Sequence, residues 1–149
     1  MLVALALAAC TTPDQAAEKV APRISDKAFE ATATQVCTQT VHVFDTATSL
    51  PKDPSRDQSA NFLENLAGTF ATLVTQLKAI PVQQVDQPVV GAWLNDWDAY
   101  VAFGHTYAEA VRTGNDGTFV RTQSAAQGTL RRRIRAFAAV NHMSKCRFP

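Results

Sequence analysis

Between Ser25 and Pro51, the positions Phe29, Ala33, Val36, Cys37, Thr40, Phe44 and Ala47 recur every three or four residues. That spacing puts them on one face of a helix. Ser25 or Asp26 suits its start, because a short polar side chain there accepts a free N–H of the first turn. The β-branched run TATQVCTQTVHVF keeps a strand reading open, but the spacing fits a period of 3.6 better than 2. A second helix is predicted from Leu63, Leu66, Phe70, Leu73, Leu77 and Ile80, whose 3,4,3,4,3 spacing is that of a bundle seam, with Asp53 or Asp57 as its cap and Pro81 as its stop. A third begins near Gln87 and Pro88 and carries Val90, Trp93, Trp97, Tyr100, Gly104, Tyr107 and Val111 inward, with Gly114 placed to close it in the left-handed conformation. Gly104 in that seam favours close approach of a neighbouring helix. The fourth runs from about Thr118 to His142 with Phe119, Ala126, Leu130, Ile134, Phe137 and Val140 or Asn141 inward.

Four amphipathic helices with short connections predict an all-α fold, an antiparallel four-helix bundle of up-down-up-down topology over residues 25–149. The 149 residues are 46% apolar with six glycines and seven prolines, which fits one helical domain with a core of its own. In that topology the fourth helix ends beside the start of the first, yet Cys37 lies about eleven residues, or ~16 Å, further along. For Cys37 to meet Cys146, either the tail SKCRFP folds back along the first helix or that helix starts later than Asp26.

Ahead of the helices, Met1 to Ala9 form an apolar run too short for the ~20 residues of a membrane-spanning helix. Followed by small residues, such a run has the character of an export signal. Leu7, Ala8, Ala9 and Cys10 read LAAC, which resembles the lipobox of bacterial lipoproteins. The resemblance covers about fifteen residues and implies that Cys10 receives a diacylglyceryl group, that cleavage occurs just before it, and that the new terminus is acylated with a chain such as palmitate. Two or more acyl chains are what stable anchoring requires. No basic residue precedes Cys10, so Met1 is expected to be an internal start. Residues 1–9 are then a partial signal, and 10–24, polar with two prolines, a lipidated cysteine and flexible tether. With Cys10 assigned to lipid, Cys37 and Cys146 remain, free to pair in an extracytoplasmic, oxidising compartment or to stay as two buried thiols.

Charge changes the picture next. Up to Gly117 there are seven basic and thirteen acidic residues; from Thr118 onward there are seven basic residues and no acid. Within LRRRIR, Arg131, Arg132 and Arg135 are expected to be exposed and Arg133 nearer the boundary. If the fourth helix ends at the tethered end of the bundle, Arg131, Arg132, Arg135, Lys145 and Arg147 would meet anionic lipid head groups, each worth about 1 kcal/mol close to such a surface. Export argues against a nucleic-acid partner.

Chemistry is sparse. The aromatics Trp93, Trp97, Tyr100 and Tyr107 are residues that could line a site for a lipid or haem-like ligand, although at this spacing such residues more often form the core. His42 with Asp45 and His105 with Glu109 could each share a helical face. Glu-x-x-His pairs, HExxH, CxxC and GxSxG are all missing, so no metal, cofactor or catalytic residue is assigned. Asp96 and Asp98, two residues apart, point to different helix faces. The function expected from the sequence is a lipid-anchored binding or scaffolding module of a bacterial cell membrane with an envelope protein partner, or else a carrier of a hydrophobic ligand between helices.

Overall fold

A computed structural model describes residues 21–46 and 49–148. The export signal, Cys10, most of the tether and Ala47 lie outside the described residues. Among the described residues the chain forms α1 (Lys27–Thr46), α2 (Arg56–Lys78), α3 (Gln87–Thr113), α4 (Asp116–Val140) and a 3-10 turn, Ser144–Cys146. The four helices pack as an antiparallel bundle, and no strand occurs among the described residues.

Of the two candidate caps for α1, Asp26 is the one used: its Oδ1 accepts the N–H of Phe29 at 3.0 Å. At α2 the cap is neither Asp53 nor Asp57 but Ser55. Its side chain accepts from Gln58 N at 3.2 Å while Gln58 Oε1 accepts from Ser55 N at 2.8 Å. This reciprocal box satisfies two free donors where a lone aspartate satisfies one. Helix α3 closes as its glycine implies, with Gly114 at φ 79° and the N–H of Asn115 bonded to Ala110 O at 2.8 Å.

The end of α4 differs from expectation by two residues for a backbone reason. His142 takes φ 57°, its N–H bonds to Ala139 O, and the N–H of Met143 reaches Ala138 O at 2.9 Å. That is a Schellman turn built on a non-glycine residue, and it reverses the chain. The segment beyond it then runs back along α1, so α1 keeps its early start and the first of the two routes to a Cys37–Cys146 contact is the one taken. The two cysteines form a disulfide, both fully buried. Met143 is also fully buried, and the ring of Phe148 meets those of Phe44, Phe70 and Trp97.

This tail explains the shape of the packing. Helices α2 and α3 pack closely, Gly104 lying so near Ala67 that an added Cβ would sit 3.0 Å from the alanine Cβ. Helix α4 packs on α3. Helix α1 packs on α2 and on the returning tail, while its backbone stays apart from that of α4. The first half of α4 rests mainly on α3, through Phe119 against Phe103 and Tyr107, and reaches α2 through the Arg56–Asp116 ion pair. Ala126, expected inward, is exposed because the helix that would have covered it is not there. Elsewhere the inward faces are as the spacing implies: Phe29, Ala33, Cys37, Leu73, Leu77, Trp97, Ile134 and Phe137 are buried.

Packing begins before Ser25. Asn141, almost fully buried, accepts the N–H of Ile24 on Oδ1 at 2.9 Å and donates from Nδ2 to Pro22 O and Phe137 O. Asp86 Oδ2 accepts from Ser25 N, Ser25 Oγ and Asp26 N, each at 2.9 Å, and Asp26 Oδ2 accepts from Gln83 N. Ile24 is in the core. Residues 22–24 are thus stitched to the bundle rather than belonging to a flexible tether, since the buried Asn141 side chain satisfies the backbone groups of Pro22 and Ile24 while Asp86 holds Ser25 and Asp26 just beyond them.

Candidate functional site

The start of α3 and the end of α4 diverge to leave an apolar groove of about 340 Å³. Val89, Ala92, Trp93 and Asp96 come from α3 at helical spacing, and Arg133, Ala136 and Phe137 from α4 in the same way. Ala21 and Pro22 supply a third wall, held there by the Asn141 stitch. The floor is aromatic: the Trp93 and Phe137 rings stack with centroids 5.0 Å apart. The indole N–H of Trp93 is spent on Ile134 O at 3.3 Å, so the floor presents a ring face without a free donor. Ala92 and Ala136 leave the space that larger side chains would fill.

One polar element stands at this groove. Arg133 grips Asp96 with two parallel bonds, Nε to Oδ2 at 2.9 Å and Nη2 to Oδ1. The hydrogen bonds to Asp96 hold the guanidinium pKa above its already high ordinary value. Asp98 points the other way, to Lys78 of α2 at 2.6 Å, so the two acids occupy different faces as their spacing implies.

A smaller cavity of about 160 Å³ opens at the other half of the bundle, bordered by Leu63, Leu66, Phe70, Tyr100, Tyr107 and Gln127. Burial pushes the Tyr100 hydroxyl pKa up, partly offset by the Arg131 charge and a hydrogen bond with Gln127.

The four candidate ligand-lining aromatics therefore do not share a site. Trp93 borders the larger groove, Tyr100 and Tyr107 border the smaller, and Trp97 is fully buried among Trp93, Phe70, Tyr100 and Phe148, bordering neither. The Trp97 indole N–H is buried without a hydrogen-bond partner. The histidine pairs also differ: His105 Nδ1 lies 2.7 Å from Glu64 of α2, while Glu109 is taken by Arg112. His42 is exposed. Among the described residues no group of three or more His, Cys, Asp or Glu could hold a metal ion, and no helix is long and apolar enough to cross a membrane.

The basic residues divide. Arg131 is exposed and Arg132 and Arg135 are half-buried on α4, while Arg133, expected nearer the boundary, is exposed and ion-paired. Lys145 and Arg147 are exposed on the returning tail. Because Cys146 sits beside Cys37, ten residues beyond the start of α1, these two are about 15 Å along the bundle from the end where α1 begins.

The chain matches no protein family, and comparison with curated proteins and solved structures returns no match. Sequence reasoning missed Asp96, Arg133, Ala136, Phe137 and Pro22 as site residues. Each pair that builds the groove is distant along the chain, and the only local signal was the alanine spacing at positions 92 and 136 beside aromatics.

Proposed function

We propose that this protein is a lipid-anchored, extracytoplasmic binding module of a bacterial envelope, exported by the LAAC-type signal and tethered through Cys10. The observation that carries the reading is the buried Cys37–Cys146 disulfide, since such bonds form and persist in oxidising compartments. The returning tail supports a flank-down attitude on the membrane. Lys145 and Arg147 stand about 15 Å from the tethered end, beyond a Debye length of about 8 Å, so they reach head groups together with Arg131, Arg132 and Arg135 only if the α4–tail flank faces the lipid. No catalytic residue is assigned, and the anchor brings the domain to whatever envelope protein or ligand it binds.

Membrane fractionation of the chain expressed with its own N-terminus in a bacterial host tests this. Wild type is expected in the membrane fraction, released by Cys10→Ser; an unchanged distribution would overturn the anchor. A second reading, carriage of a hydrophobic ligand, is favoured by the groove at Trp93, whose volume falls in the range of small-molecule sites.

A further inference from the structure

We infer that the α3–α4 groove is a binding site for an anionic amphiphile, a single apolar chain ending in a carboxylate. The inference deepens the ligand-carrying reading and rests on it. Apart from Asp96 and Arg133, the described residues bordering the groove are apolar: Val89, Ala92, Trp93, Ala136 and Phe137, with Pro22 closing one side. An apolar body loses no hydrogen bond on entering, because the floor indole is already bonded within the protein.

The head group is set by Arg133. Asp96 spends both carboxylate oxygens on Nε and Nη2, which fixes the plane of the guanidinium and leaves its Nη1 edge unengaged by that partner. A guanidinium oriented in this way presents donors in the geometry that a carboxylate accepts. Charge complementarity points the same way. Among the described residues Asp96 is the only acid bordering the groove, it is already paired, and from Thr118 to the end of the chain there are seven basic residues and no acid. A cationic head would have to displace Arg133 from Asp96, whereas an anionic head adds to the pair.

The test uses the full chain carrying Cys10→Ser, titrated with decanoate below its micelle concentration and with decanol as the neutral match, followed by calorimetry and by tryptophan fluorescence from Trp93. Saturable one-to-one binding of decanoate is expected, tighter than decanol by about tenfold, the usual worth of a hydrogen bond to a charged group. Arg133→Gln should erase that preference. Ala92→Phe, which fills the groove from an exposed position, should abolish binding of both while leaving the urea midpoint unchanged.

Absence of saturable binding, survival of binding in Ala92→Phe, or a preference intact in Arg133→Gln would each overturn the site. Phosphatidylglycerol vesicles separate the sources of such a chain. If Ala92→Phe weakens decanoate binding alone, the occupant is the free single-chain carboxylate proposed; if it weakens vesicle binding as well, the groove takes a two-chain phospholipid and the proposal is overturned. None of these readouts involves Cys10, so failure of the groove and failure of the anchor are told apart.

Discussion

Asp26 ties two parts of the chain through one carboxylate, capping α1 at Phe29 and holding Gln83 at the entrance to α3. Those hydrogen bonds, first from the Phe29 N–H and next from the Gln83 N–H, hold its pKa below the ordinary value. The depressed folded pKa means that its contribution to stability is fully present above the unfolded value of about 3.9 and is lost as pH falls through the folded one. Asp26→Asn keeps a single side-chain acceptor, so the variant is expected to have a lower urea midpoint at pH 7 and a flatter decline between pH 5 and 3. Identical slopes for the two proteins would contradict this role. His142 bears a different load, a left-handed backbone forced on a residue with a Cβ. His142→Gly should raise stability by about 0.5–1 kcal/mol, read from the same urea curves. A loss of stability would mean that the turn needs the imidazole.

The helices were legible as elements because each inward face repeats at three and four residues, and the stops at Gly114 and Pro81 have local chemical causes. What could not be read was which element covers which. Periodicity marks a face to be buried without naming its partner, so Ala126 shares the inward spacing of α4 and is nevertheless exposed. The Ser55–Gln58 box was written in the chain as S-x-x-Q and passed over in favour of nearby aspartates. The tail was half legible. The mismatch between Cys37 and the end of α4 required either a fold-back or a shift, and the physical reason for the fold-back is the turn at His142 followed by Met143, Cys146 and Phe148 as successive buried anchors. A tail that fills a helix–helix seam and is joined to α1 across 109 residues should carry much of the bundle's stability. Reduction of the disulfide is expected to lower the unfolding free energy by about 4–5 kcal/mol on loop-closure grounds, measured as urea midpoints with and without reductant. A midpoint insensitive to reductant would contradict the role given to the tail.

At the scale of the whole molecule, an acidic front part is followed by a basic last quarter, and the fold spreads that basic part over the flank formed by α4 and the returning tail. The chain enters the bundle at Pro22 beside the end of α4, so the tether, the groove and part of this flank share one end. A lipid anchor at Cys10 would keep all three near a membrane, where amphiphiles are supplied and anionic head groups lie within reach. The central claim is therefore about place and oxidation state together. Intact-mass analysis of the protein taken from membranes of a bacterial host, before and after reduction, tests it most directly. The expected result is a chain beginning at Cys10, heavier by its acyl groups, that gains two hydrogens on reduction. An unmodified chain retaining residues 1–9, with three free thiols, would contradict it.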